Sequence, residues 1–584
     1  GGPLGRPLAL ATFALQADFW PNDAAALRIT NVVIHICNAF FVAWLGFLLA
    51  RSQGVNPNSS AWAAALAALL WASSPLLAST SLFIIQRMTS LSLVFMLAGM
   101  IGHLHLRGLV EIRPLMGYIF LSLNLVFFTT IAILCKENGA LLPGLILVTE
   151  VFLLGGRRRA RKSPWFAWKF LFLAVPLIII SLYVVSRWNY GASVVAIRDF
   201  NAYERLLTQA VILWEYLFHA LIPAMHRIGP FHDQYPVYRS ILELPVSLAL
   251  IAWLMVIAGA VVLRRKLPLL IFAVSWYLVA HLIESTVIPL ELYFEHRSYL
   301  ALIGPVIALS LGLFRLPQPP RKLVLSGAVL YLFLCSFVLA RTTMLWGSPI
   351  KAADFWHSHN PESSRATLYL TDQLIRHGDV FGAMEVLQTL DQIEGEAGFV
   401  LLQETAIRCF YDFENQYDDL LREFEERLDR TRFSYALVDY LPTLVETKRQ
   451  SGCENYEEND LIEMAELILA KEHIATHRYA AYAIHGFLGS IYFSRGDYQK
   501  AITHLYESLR ARKHPQNLFG LVVSHLETEE YELGCKRLES LRSEEILKIY
   551  SRQLWNQLID TYQSDVSEAG GLASCQELQP TSAQ

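Results

Sequence analysis

The chain has 584 residues, 54% of them hydrophobic and only 17% charged, with a mean hydropathy of +0.35. A soluble globular chain is about 45–50% apolar and about 25% charged. This balance excludes an ordinary cytosolic protein, and it excludes disorder, which needs the opposite bias. The net charge of −4 is an average over two unlike parts. Up to Trp346, 26 Lys and Arg stand against 13 Asp and Glu; beyond it, 22 stand against 39. The first part is apolar with basic punctuation, and the second is polar and acidic.

The chain begins at Gly1 and not at Met, so further residues are expected upstream; no signal-peptide pattern is read at this end. Several apolar runs reach the roughly 20 residues that span about 30 Å of hydrocarbon. They predict ten membrane helices, at about 27–49, 61–81, 85–106, 115–135, 138–154, 166–186, 247–264, 268–284, 298–315 and 323–343. The stretch 206–223 carries Glu215 and His219 and reads as an interfacial helix. Short basic loops at Arg157 to Lys162, Arg264 to Lys266 and Arg315 to Lys322 set the orientation, with all three on the cytoplasmic side. Everything after Arg341 is then expected outside.

This orientation leaves many cations on the outer face, among them Arg6, Arg28, Arg87, Lys136, Arg205 and Arg297. Charges at that depth are costly and mark function; they suit an anionic ligand such as a lipid phosphate. In the first helix, Arg28, Asn31, His35 and Asn38 share one face at spacings of 3, 4 and 3. That stripe faces either a cavity or neighbouring helices that it bonds; bonding is as good a reading for the two Asn, while Arg28 with His35 points to a cavity site. Arg87 opens the third helix against its macrodipole and needs an anion, unless it snorkels to the interface. Lys136-Glu137-Asn138 is either a self-satisfied junction or a phosphate contact beside a carboxylate base.

The stretch from His281 to Tyr299 is the richest. It holds Glu284, Glu291, Glu295, His281, His296 and Arg297, a set able to hold an anion and move a proton. A divalent metal is the lesser reading, because no H-E-x-x-H or similar spacing is present. The segment 187–245 adds His232, Asp233 and many aromatics, which suit either interfacial anchoring or sugar faces.

From about Asn360 the pattern is helix–turn–helix throughout. In 482–515, Leu488, Gly489, Tyr492, Gly496, Tyr498 and Ala501 fill the positions of a 34-residue tetratricopeptide unit. A second register fits 364–397 through Leu370, Leu374, Gly378, Ala383 and Leu387. Residues 398–481 and 516–549 read as degenerate repeats. Such units stack into a solenoid that binds peptides or proteins. The tail 564–584 is expected to be flexible. Of the seven cysteines, Cys37, Cys135 and Cys335 fall in membrane helices. A disulfide among the others is allowed in an oxidising compartment, with buried thiols as the default.

Gly5-Arg6-Pro7-Leu8, Asn31 to Asn38, Ile85-Gln86-Arg87-Met88, Lys136-Glu137 and Glu295-His296-Arg297-Ser298-Tyr299-Leu300 follow one another in a familiar order. With the repeats, they make the chain resemble bacterial membrane glycosyltransferases of the GT-C fold that carry C-terminal tetratricopeptide repeats. These are similar to the transmembrane-and-tetratricopeptide O-mannosyltransferases. The resemblance implies an all-α protein: a polytopic membrane domain over 1–346, then an extracytoplasmic α-solenoid over 360–563. It implies inverting transfer of a sugar from an undecaprenyl-phosphate-linked donor to a protein hydroxyl at the periplasmic face of the bacterial inner membrane. No cofactor is required in this reading. The repeats would engage the acceptor, a pilin being one candidate, and no nucleic acid is expected as partner.

By the same resemblance Arg6, Arg87, Lys136, His296 and Arg297 would hold the donor phosphate. Another membrane helix and an outer loop with an acidic pair are expected upstream of Gly1. Within the present residues the catalytic carboxylates would be Glu137 or Glu295, since Asp18 and Asp23 lie on the wrong side of the motif. His281, Glu284, Glu291, His232 and Asp233 are secondary candidates. Two other readings stand beside this one: a membrane-anchored scaffold without catalysis, and a polymerase or ligase of undecaprenyl-diphosphate glycans.

Overall fold

A computed structural model describes residues 5–20, 23–154, 163–189, 200–317, 320–392, 395–411, 419–512, 514–528, 530, 533–534 and 537. The basic loop Arg157 to Lys162, Arg198 and the tail 564–584 lie outside the described residues. The described chain is all-helical and divides into two units, Gly1–Ala366 and Thr367–Gln584.

The first unit is built from long apolar helices. Among the described residues, seven are long and apolar enough to cross a membrane, or nine if each of two bent pairs counts as one span. In chain order the main helices are α1 (Pro7–Ala14), α2 (Ala24–Ser52), α3 (Pro57–Ala72), α4 (Ala78–Leu82), α5 (Arg87–Leu106), α6 (Pro114–Cys135) and α7 (Leu142–Thr149). They continue with α8 (Val175–Ser186), α9 (Ala202–Leu221), α10 (Leu244–Leu263), α11 (Pro268–Ala280), α12 (Ile303–Arg315), α13 (Pro320–Trp346) and α14 (Pro349–His359). Their starts are legible locally. Asp23 and Asn56 accept the N-terminal amides of Ala26 and Ser59. Asn201 and Glu204 form a capping box on α9. Proline opens α3, α6, α10 and α11, where its missing N–H is not needed.

The expected spans need three corrections. The run 61–81 breaks after Ala72 and bends by 56°, because Ser74-Pro75 cannot continue the ladder. The run 268–284 ends as a helix at Ala280; His281, Glu284 and Ser285 turn away from it. The run 298–315 is two helical pieces bent by 48°. Most of the stretch 206–223 falls in α9, which ends at Leu221 and is amphipathic, with Arg205, Gln209, Ile212 and Tyr216 buried and Tyr203, Phe218 and Leu221 exposed.

The core runs through α2, α3, α5, α7, α11 and α12, around Trp71, Phe272, Trp276 and Tyr299. Outer helices expose apolar faces: Leu330 and Phe333 of α13 are 70% and 72% exposed. Bare Leu and Phe over such an area suit lipid. The Lys136-Glu137-Asn138-Gly139 junction folds tightly back on α6. A Cβ on Gly139 would lie 2.4 Å from the backbone of Ala132, so only glycine lets the junction close.

The second unit begins inside α15 (Ser364–Arg376). Its further helices are α16 (Val380–Gln388), α17 (Ala397–Phe410), α18 (Leu420–Leu428), α19 (Leu441–Ser451), α20 (Glu458–Ala470), α21 (Arg478–Ser494), α22 (Tyr498–Ala511) and α23 (Pro515–Glu527). Two helix pairs share one turn chemistry. Gly378 and Gly496 adopt left-handed φ of 81° and 75°, and the next residues, Asp379 and Asp497, cap the following helix. These are the same positions in the registers 364–397 and 482–515. Between them the helices are unequal, with α18 only nine residues long. Cys409 and Cys453 form a disulfide, which corrects the expectation of buried thiols for that pair; Cys135 and Cys335 are buried and free.

Candidate functional site

The polar stripe of α2 faces other helices and not a cavity. Asn31 donates to the Ile84 carbonyl at 3.2 Å and accepts from Arg87 Nε at 2.9 Å. His35 bonds the Tyr299 hydroxyl at 2.8 Å and the Ala72 carbonyl at 3.1 Å. The carbonyl can only accept, so Nε2 donates to it and Nδ1 accepts from Tyr299. Asn38 donates to the Ser90 carbonyl at 2.8 Å. Arg28 donates to the Trp346 carbonyl at 3.2 Å. Of the two readings of this stripe, interhelical bonding is the one the geometry matches.

Arg87 is fully buried. Its guanidinium donates to Asn31, to the Thr12 carbonyl at 3.0 Å and to the Leu27 carbonyl at 3.1 Å, beneath the Phe13 ring. Every nitrogen therefore has an internal partner. Arg87 ties α1 and α2 to the start of α5, which makes it a positioning residue.

The remaining motif residues meet around the α6–α7 junction. Lys136 Nζ lies 2.7 Å from Glu284 and donates to Thr89 at 2.9 Å. His296 Nε2 is 4.0 Å from the same Glu284 oxygen. Arg297 donates to the carbonyls of Leu292 and Glu291. Burial pushes the Glu284 carboxyl up, but Lys136, His296 and Arg297 together hold it well below the usual carboxylate range. Lys136, Asn138, His296 and Arg297 line one narrow crevice with Thr89 and Ser92.

Arg6 closes the more exposed edge of this cluster. Its Nη2 is 2.8 Å from Glu137, and both side chains stay partly open, at 28% and 27% exposure. Arg6 has φ 48° and is the one non-glycine residue with positive φ among the described residues. That conformation costs about 1 kcal/mol or more and aims the side chain at Glu137. Within this group Arg6, Lys136 and Arg297 outnumber Glu137 and Glu284, leaving a cationic excess.

Glu295 sits apart from that crevice. It accepts from the Gly229 amide at 2.9 Å and from Ser79 at 3.4 Å, and pairs with His232 at 2.8 Å. It is 1% exposed. Burial lowers the His232 pKa, but the Glu295 carboxylate more than offsets this and raises it. Glu291 pairs with Arg365 at 2.7 Å, and Asp233 accepts from Ser363 at 2.6 Å. Those two carboxylates fasten the loops to the chain beyond α14. His281 bonds Ser285 and stacks on Tyr216 at 5.6 Å. The 281–294 loop is also pinned by Arg205, which donates to the carbonyls of Glu284, Thr286 and Leu290.

Two features carry no distinctive sequence signal. One is an ion triad inside the bundle, where Glu150 meets His103 at 3.0 Å and Arg107 at 2.9 Å. The other is a cavity of about 260 Å³ under α9, lined by Glu215, His219, His232, Tyr235, Tyr293 and Trp356 among others. In the second unit, a groove of about 560 Å³ is lined by Asp439, Tyr479, Tyr482, Phe487 and Asn517. Tyr479 donates to Asp439 at 2.9 Å across it.

No family model matches the chain, and neither the curated proteins nor the solved structures give a match.

Proposed function

We propose that the first unit transfers a sugar from a polyprenyl-phosphate-linked donor to an acceptor hydroxyl at the outer membrane face. The carrying observation is the half-open Arg6–Glu137 pair at the edge of a buried, net-cationic cluster. A phosphate arriving at Arg6 exchanges with Glu137 as its partner, with Lys136 and Arg297 behind it. The released Glu137 carboxylate then takes the proton of the attacking hydroxyl. The bond from the acceptor oxygen to the anomeric carbon forms as the bond to the phosphate oxygen breaks, so configuration inverts. The leaving phosphate keeps its electron pair and is held by the same cations.

The resemblance to GT-C glycosyltransferases with tetratricopeptide repeats belongs to this reading, and supplies its donor class and inner-membrane setting. The repeat-like turns at Gly378 and Gly496 support a peptide-binding role for the second unit, with its aromatic groove as the acceptor's seat. The Cys409–Cys453 disulfide supports an oxidising compartment for that unit, as a periplasmic position requires. No metal is needed in this mechanism.

A second reading is favoured by a separate observation. Arg87 and Arg297 bind backbone carbonyls, as they would in a scaffold that uses polar groups only to hold loops. Mass spectrometry of envelope proteins separates the two. Cells lacking the gene, and cells carrying Arg6→Ala at normal protein level, are expected to lose the same glycan mass from the same sites. A glycan that persists in Arg6→Ala cells overturns the site. An envelope unchanged by deletion of the gene leaves the scaffold.

A further inference from the structure

The cavity under α9 is not used by the transfer step described above. Its walls are aromatic on two sides. Tyr235 stacks near Tyr293, centroids 5.8 Å apart, and Phe231 meets Trp356 edge-on at 5.5 Å. Between them lie polar groups of both kinds: the Glu215 carboxyl, the imidazoles of His219 and His232, and Asn360.

His219 is the informative residue. It is only 6% exposed. Its Nδ1 is 2.8 Å from the Tyr293 hydroxyl, while its Nε2 is buried without a hydrogen-bond partner. A buried polar atom left unpaired costs about 1–3 kcal/mol. One that lines a cavity calls for a ligand to complete it. A hydroxyl satisfies Nε2 in either tautomer, because it both donates and accepts.

The volume limits the occupant. About 260 Å³ falls just below the roughly 300–1,000 Å³ of pockets that bury drug-sized ligands. It suits one small ring. The lining also bears on the charge of the occupant. Glu215 lines the cavity, and burial raises its pKa, the largest of the influences on it. Glu295 lies behind His232. Arg227, His226 and His359 also line the cavity, so groups of both signs face it and no net charge is called for in the occupant. The chemistry that fits has hydrophobic C–H faces for the rings and several hydroxyls for the polar rim.

We infer that this cavity is a binding site for a single uncharged sugar ring, with His219, Glu215 and His232 bonding its hydroxyls and Tyr293 and Trp356 covering its faces. Its part in transfer rests on the reading above, but the binding does not. The site seats a sugar already on the acceptor or the sugar about to move.

The test uses the full chain in nanodiscs, with no lipid donor present. Saturation-transfer NMR is run against methyl α-D-mannopyranoside, methyl β-D-glucopyranoside and N-acetylglucosamine, with glucuronate as the charged control. At least one neutral sugar is expected to bind saturably. His219→Phe is expected to weaken it roughly tenfold, the loss of one buried hydrogen bond. Glu215→Gln keeps the shape and is expected to weaken it less. Should His219→Phe fail to fold, Asn360→Ala, at the rim, is expected to weaken binding instead. No saturable neutral sugar, binding of glucuronate alone, or unchanged affinity in the folded variants each overturns the inference. Because no donor is present, a null result here leaves the transfer reading untouched. Loss of transfer in Arg6→Ala likewise says nothing against the cavity.

Discussion

Residue by residue, the motif charges sort by what they touch. Arg87 and Lys136 look alike in sequence, both cations at helix boundaries. Arg87 is surrounded by carbonyl oxygens, whereas Lys136 is paired with one carboxylate, Glu284. Both members of that pair are buried. Removing one leaves the other charged and unpaired in a dry site. Glu284→Gln is therefore expected to destabilise the first unit by roughly 3–5 kcal/mol, read as a lower melting temperature in detergent. Lys136→Met with Glu284→Leu is expected to recover much of that loss, because no bare charge remains.

His232 gives a pH prediction at the same scale. Its pKa is raised in the folded protein by Glu295. The unfolded imidazole titrates near pH 6.5. The stabilisation is thus complete below about pH 6.5 and is lost as pH rises through the higher folded value. His232→Gln is expected to flatten that part of the profile. Thermal unfolding of both proteins across neutral to mildly alkaline pH checks it: the gap between them should narrow as pH rises. For the chemistry, Arg6→Ala is expected to lower transfer on the order of a hundredfold, as removal of one charge-stabilising donor does elsewhere.

At the scale of elements, short sequence signals decide turns and long ones decide helices. The Gly-Asp turns of the second unit combine a left-handed glycine with an N-cap. Gly496→Ala forces a Cβ into that region and is expected to cost about 1 kcal/mol. Asp497→Ala removes the cap and is expected to cost a similar amount, about 1 kcal/mol. Circular dichroism melts of the full chain read both. The Cys409–Cys453 bridge joins α17 to the segment after α19. Replacing both cysteines by serine is expected to cost about 2–4 kcal/mol. Reductant should lower the wild-type melting temperature and leave the double variant unchanged.

Over the whole molecule, the positive-inside rule makes a topological prediction. Cysteines placed at Gln53 and Ser240 are expected to react with impermeant maleimide from opposite sides of the membrane. Labelling of both from one side would refute the predicted number of crossings between them, and an exchange of sides would reverse the orientation.

The amino-acid sequence by itself determined the helical class, the change of character near Trp346 and most helix starts. These follow from local quantities: apolar run length, period, prolines and caps. It also brought Arg6, Lys136, Glu137, His296 and Arg297 forward as a group, because charges in apolar surroundings stand out in any register. It left the α2 stripe divided between a cavity and neighbouring helices, read the run 268–284 as one membrane helix where the helix ends at Ala280, and left open which cysteines paired. Those depend on partners far away in the chain. Asn31 meets Arg87, His35 meets Tyr299, and Arg205 holds the 281–294 loop away from a helix. A donor and its acceptor at such separations leave no spacing to read. Only the tertiary structure decided that Arg87 is enclosed while Arg6 stays open. For the same reason it alone showed the cavity around His219, whose walls come from four separate segments of the chain.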